Sequence, residues 1–96
     1  MRVNVTLLGS MKMKLKNNEF SIFLPEDSSL QDLISSLSNR LGDVFEAEFL
    51  KPFRESGQAL YVPIVNGVSI RPEKWKTLTL KEGDSVVFAP LLIAGG

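Results

Sequence analysis

Cysteine and histidine are both missing from the 96 residues. Without them the chain has no disulfide, no thiolate nucleophile, no Cys- or His-ligated zinc and no imidazole acid–base chemistry. Thiolates that could hold an iron–sulfur cluster are absent as well. An excess of one charge is also missing: 11 Lys and Arg balance 11 Asp and Glu. The basic surplus that nucleic-acid binding draws on is therefore not there. No apolar run approaches the roughly 20 residues of a membrane-spanning helix. Met1-Arg2-Val3-Asn4-Val5 enters a strand pattern directly, without the pattern of a signal peptide. The lack of cysteine fits an intracellular protein. The expectation is a cytoplasmic protein with neither a nucleic acid nor a membrane as partner.

What is present suits one domain with a single modest core. The apolar fraction of 44% and the charged fraction of 23% are ordinary for a globular chain. Residues 2–8 alternate, with Val3, Val5 and Leu7 on one side, which is the period of a half-buried strand. Gly9-Ser10 reads as a break, and the Lys/Met stretch after it as a solvated strand end or loop rather than a phosphate site. Asn17-Asn18 suits a turn. Phe20, Ile22 and Leu24 alternate again, so the N-terminal part reads as a hairpin.

Pro25 closes that strand. Ser28 or Ser29 then caps a helix, with Gln31 or Asp32 at the capping-box position. Leu30, Leu33, Ile34, Leu37 and Leu41 form one stripe, the face that covers a sheet, and Gly42 is the stop. Residues 43–50 read as a short helix before Lys51-Pro52, and 54–58 as a loop. Phe45, Phe49 and Phe53 would share a helical face as secondary core, with one partly exposed Phe open to docking. Leu60 to Val65 reads as a buried strand whose Pro63 must face an edge or a bulge. Asn66-Gly67 is a hairpin turn, and Val68-Ser69-Ile70 the return. Trp75 is expected over one end of the core. Thr77 to Leu80 offers apolar anchors, Glu82-Gly83-Asp84 a tight turn, and Val86 and Phe88 the inner face of a last strand. The first and last strands are expected side by side at the sheet centre. Glu46 and Glu48 fall on different faces of their helix, and no other acid–base pair converges.

The end of the chain holds the candidate chemistry. After Pro90 come Leu91-Leu92-Ile93-Ala94-Gly95-Gly96. At glycine's usual frequency of roughly 7%, two glycines fall on a given pair of positions about once in 200 chains. The pair alone therefore proves nothing; the strand running into it makes the case. Glycine lacks Cβ, so such a tail is thin enough to thread a channel. The expectation is a free carboxylate on Gly96, which an ATP-using partner can turn into an acyl electrophile.

At this point the residues resemble a family. Leu80-Lys81-Glu82-Gly83-Asp84-Ser85-Val86 resembles the Leu-x-x-Gly-Asp-x-Val pattern of the sulfur carriers MoaD and ThiS. Val65-Asn66-Gly67, the junction Leu24-Pro25 with Ser29-Leu30-Gln31-Asp32-Leu33, and the Gly95-Gly96 ending match as well. The similarity spans nearly the whole chain and is weakest over residues 43–59. The aliphatic tail is closer to ThiS than to MoaD. The resemblance implies an α+β, ubiquitin-like β-grasp fold. Its mixed sheet of four to five strands would be covered by one main helix. A domain over residues 1–90 would carry a flexible tail over 91–96. It implies a carrier, not an enzyme, with no bound cofactor and no metal. Gly96 would be adenylated with ATP by a ubiquitin-activating-type adenylyltransferase similar to MoeB or ThiF, then converted to a thiocarboxylate. Gly95, Ala94, Ile93, Leu92 and Leu91 would contact the partners. The sulfur would pass to an acceptor enzyme, such as the large subunit of molybdopterin synthase, in molybdenum cofactor or related biosynthesis. The alternative the same residues allow is a ubiquitin-like modifier joined to lysines through Gly96.

Overall fold

The computed structural model describes residues 1–57 and 59–91. In chain order it has β1 (Arg2–Leu7), α1 (Ser10–Lys14), β2 (Glu19–Phe23), α2 (Leu30–Leu41) and α3 (Asp43–Phe45). A π-helical turn (Glu46–Leu50) leads into α4 (Lys51–Ser56). Then come β3 (Tyr61–Val65), β4 (Val68–Ser69), a 3-10 turn (Pro72–Lys74) and β5 (Ser85–Pro90). The described strands form one five-stranded sheet in the order β2-β1-β5-β3-β4. β1 and β5 pair in parallel, Val5 opposite Val86 and Leu7 opposite Phe88; the other pairs are antiparallel. This is the mixed sheet of an α+β β-grasp fold, with the first and last strands adjacent at its centre as the alternation implied.

The alternation sorts the two faces. Val3, Val5, Leu7, Ile22, Val86 and Phe88 are buried with Leu30, Leu33, Ile34 and Leu37 of α2 in one core. Ser29 caps α2: its hydroxyl accepts from the Asp32 amide at 3.1 Å, and the Asp32 carboxylate accepts from the Ser29 amide at 2.9 Å. These reciprocal bonds satisfy two N–H groups that a helix start leaves without partners. Asn66 (φ 48°) and Gly67 (φ 86°) make the hairpin turn between β3 and β4, both left-handed as a two-residue turn requires.

Two segments differ from the sequence expectation. Residues 10–14 are a short helix, not a strand end or loop, because Met11 anchors that turn in the core at 0% exposure. Residues 43–56 are helical throughout, so Arg54, Glu55 and Ser56 are not a loop. Pro52 would collide with the carbonyl four residues back in a regular helix. The wider π turn just before it relieves that crowding. Gly57 (φ 75°) ends the run, its N–H bonding Phe53 O. Phe45 and Phe49 are wholly buried, and Phe53 is partly exposed, its ring tilted against Trp75 at 5.2 Å. The exposed phenylalanine is Phe23, on the outer side of β2.

Pro63 turns its donor-less side toward Ile70, just after β4, rather than toward a free edge or a bulge. Its carbonyl accepts from the Ile70 amide at 2.9 Å, so its missing N–H faces β4. The Ile70 carbonyl, which an N–H at position 63 would have used, accepts from Trp75 Nε1 at 3.2 Å. Trp75 is buried and tilts against Phe49, which also meets Phe45 and Phe88.

Two substitutions test this packing. Ser29→Ala should cost about 1 kcal/mol in denaturant unfolding through loss of the cap. Phe49→Ala should cost about 3–5 kcal/mol, because it empties the contact between the helical insertion and β5.

Candidate functional site: the root of the C-terminal arm

β5 delivers the candidate residues. Val86 and Phe88 pin it to the core. On one side it pairs with β1 and on the other with β3, Ala89 opposite Val62 and Pro90 opposite Tyr61. Beyond Pro90, the Leu91 amide donates to Leu60 O at 2.8 Å. Leu91 is 54% exposed and so is Leu60. Both stand beside Val62, Ile64, Val87 and Ala89, which share the sheet face opposite α2 and are only half-buried. The predicted site residues Leu92, Ile93, Ala94, Gly95 and Gly96, including the Gly96 position itself, lie outside the described residues.

Pro90 is held by a part of the chain that the sequence reading treated only as a break. Gly9 (φ 68°) passes so close that a Cβ there would lie 2.4 Å from Pro90 Cγ and 2.9 Å from the Tyr61 hydroxyl. Neither that approach nor the left-handed backbone tolerates a side chain. The Tyr61 hydroxyl accepts from the Met11 amide at 3.2 Å and lies 3.0 Å from Ser10 Oγ. Ser10 Oγ donates to Glu48 Oε2 at 3.1 Å, and Lys14 Nζ donates to Glu48 Oε1 at 2.5 Å. The Lys14 ammonium holds the Glu48 carboxyl below the ordinary carboxylate range; partial burial opposes this, and the Ser10 hydroxyl adds to it. α1, the π turn and β3 are thus tied together beneath the tail root. Gly9 was legible as a glycine at a strand end, and Tyr61 as a buried hydroxyl that needs a partner. Their meeting was not.

The other motif residues sit at the opposite end of β5. Asn66 Nδ2 donates to Asp84 Oδ1 at 2.9 Å, and Asn66 Oδ1 accepts from the Ser85 amide at 2.9 Å. Asp84 Oδ2 accepts from the Lys81 amide at 2.8 Å. This knot fixes the register of β3 on β5. Glu46 pairs with Arg54 and Glu48 with Lys14, so the two carboxylates do not converge. Among the described residues no acidic cluster is placed to hold a metal ion.

The ThiS family model matches residues 5–96. The chain belongs to the ThiS family. Members are carriers that act with partner subunits and are not enzymes themselves. Comparison with curated proteins gives no match. Solved structures share the fold of this ThiS-family chain. A molybdopterin converting factor subunit 1 from Pyrococcus furiosus is 24% identical over 95% of this chain and 98% of its own, with a TM-score of 0.68. The complex of subunits 1 and 2 of the molybdopterin-converting factor from Helicobacter pylori matches at 20% identity, 99% and 100% coverage and a TM-score of 0.62. Small archaeal modifier protein 1 from Methanosarcina acetivorans matches at 20% identity, 99% and 96% coverage and a TM-score of 0.69.

Gly9→Ala should force Pro90 and Leu91 to move and should destabilise the fold by more than about 1 kcal/mol. Thermal unfolding and the Leu91 amide shift report the two effects. Tyr61→Phe leaves the buried Met11 amide without its acceptor, at a cost of about 1–3 kcal/mol. The depressed Glu48 pKa stabilises the fold above the unfolded carboxylate value, and that contribution is lost as pH falls through the folded value. An NMR titration of Glu48 should show a low midpoint that rises toward the ordinary value in Lys14→Met.

Proposed function

We propose that this protein is a sulfur carrier whose Gly96 carboxyl is the carrying group. Residues 1–90 form the docking domain and 91–96 the arm. The observation that carries the reading is the ThiS family match, which runs through the terminal Gly95-Gly96. The rooted, exposed start of the arm at Leu91 is consistent with it. In the proposed cycle the Gly96 carboxylate attacks the α-phosphate of ATP on an adenylyltransferase of the MoeB/ThiF type and releases pyrophosphate. A sulfur donor then displaces AMP from the acyl adenylate and leaves a thiocarboxylate. Ala94, Ile93, Leu92 and Leu91 line up against the channel of the activating or acceptor enzyme, and Gly95 supplies clearance. The protein itself binds no cofactor; ATP belongs to the activating partner. The Helicobacter pylori complex of two molybdopterin-converting subunits supports an acceptor of that kind, in molybdenum cofactor or related biosynthesis. The proposed compartment is the cytoplasm. Among the described residues no helix is long and apolar enough to cross a membrane.

The likeness to an archaeal modifier protein favours a second reading, in which the same adenylate is captured by a lysine amine to give an isopeptide. The two readings share the adenylate and differ in the nucleophile.

Intact mass spectrometry of the untagged chain separates them. With ATP, a sulfide source and a MoeB/ThiF-type enzyme, the carrier reading expects exchange of one carboxyl oxygen for sulfur, mapped to Gly96. An unchanged carboxylate with several such activators would overturn it. Higher-mass conjugates that vanish when Gly95-Gly96 is deleted would support the modifier reading.

A further inference from the structure

The shortness of β4 leaves part of β3 without a neighbour. Leu60, Val62 and Ile64 turn their backbone groups toward β5, as the Leu91–Leu60 bond shows. Tyr61, Pro63 and Val65 turn theirs the other way. Val65 meets Val68, and Pro63 O meets the Ile70 amide. Continuing that register would bring Pro72 opposite Tyr61, but there the chain has entered the 3-10 turn, and proline has no N–H to offer. The Tyr61 amide and carbonyl therefore have no hydrogen-bond partner among the described residues, although Tyr61 is only 4% exposed. Backbone groups so sheltered are almost always paired.

Beside this bare edge lies a groove of about 570 Å³, walled by Ala59, Tyr61, Pro63, Ile70, Pro72 and Trp75. Leu91 marks one end. Among the described residues, Arg71 is the one charged side chain on the lining, and it has no ion pair among them. The combination is an edge amide and carbonyl, a largely apolar groove, and an exposed cation beside it.

We propose that this groove receives an extended segment of a partner protein as an added strand on the open part of β3. A branched aliphatic side chain of that segment fills the pocket against Trp75, and a carboxylate follows it to meet Arg71. Main-chain bonds to Tyr61 give the affinity, and the pocket and the cation give the selectivity. The added strand is short, because Ile70 already bonds the Pro63 carbonyl and closes the edge there. A second copy of this chain meeting edge to edge would present the same lining, which carries Arg71 and no carboxylate among the described residues. The charge of the lining thus favours an acidic partner. This docking does not depend on the chemistry proposed for Gly96.

The test uses the full chain and two synthetic peptides, acetyl-Thr-Ile-Thr-Val-Asp-amide and its analogue N-methylated at alternate amides. Trp75 is the sole tryptophan, so its fluorescence reports the pocket. In the free chain the Tyr61 amide should exchange fast while Val62 and Ile64 exchange slowly. The plain peptide should shift Trp75 emission saturably and slow Tyr61 exchange, and the methylated one should do neither. Arg71→Glu should weaken binding about two- to fivefold, as expected for a rim ion pair. Ile70→Asp should weaken it about tenfold or more, as a change in the pocket centre does. The proposal is overturned if the plain peptide leaves Trp75 and Tyr61 unchanged at millimolar concentration, or if both peptides act alike. Protection of the Tyr61 amide in the free monomer, or a dimer that excludes the peptide, would equally overturn it.

Discussion

The parallel pairing of β1 with β5 holds this fold together. It joins the two ends of the chain at the middle of the sheet, Val5 beside Val86 and Leu7 beside Phe88. Such a pairing closes nearly the whole chain into one loop, and the entropy of that closure is recovered only when the apolar face is covered. α2 supplies the cover with a stripe of wholly buried leucines and isoleucine. Because β5 has a neighbour on both sides, its direction is fixed. Leu91 is thereby held against Leu60 at the end of a rigid strand.

The two ends of β5 have different tasks. At its start, Asn66 and Asp84 exchange side-chain and backbone bonds that set the register of β3 on β5. A slip of one residue would turn Val86 and Phe88 out to solvent and reverse every facing side chain. At its end, Gly9 lets a turn of α1 press on Pro90, and the Tyr61–Ser10–Glu48–Lys14 chain ties that turn to the helical insertion. The residues that make the family legible in the sequence are thus largely the ones that brace β5.

The hairpin, α2 with its cap, the Asn66-Gly67 turn and the central strand pair were legible because each rests on local periodicity or on backbone preferences of one or two residues. The helix at 10–14 was not legible. Its five residues hold only one buried side chain, Met11, too little for a period to show. The insertion at 43–56 was half legible: the phenylalanine spacing was visible, but Pro52 argued for an end. The π turn that lets the helix pass Pro52 is held by Phe45 and Phe49 packing on Phe88 and Trp75, residues distant in the chain. The ThiS family match runs through the last residues, and the described part of the chain reaches only to Leu91.

By itself, the sequence determined that this chain offers no cysteine or histidine side chain and that its sheet alternates about a capped helix. Those are properties of residue type and of spacing within a turn or a strand. Tertiary structure alone decided that Gly9 meets Pro90, that Tyr61 presents an unpaired edge beside Trp75, and that Glu48 answers to Lys14. Each joins residues far apart in the chain. Their meeting depends on how the sheet and helices close around one core, a geometry no local pattern carries.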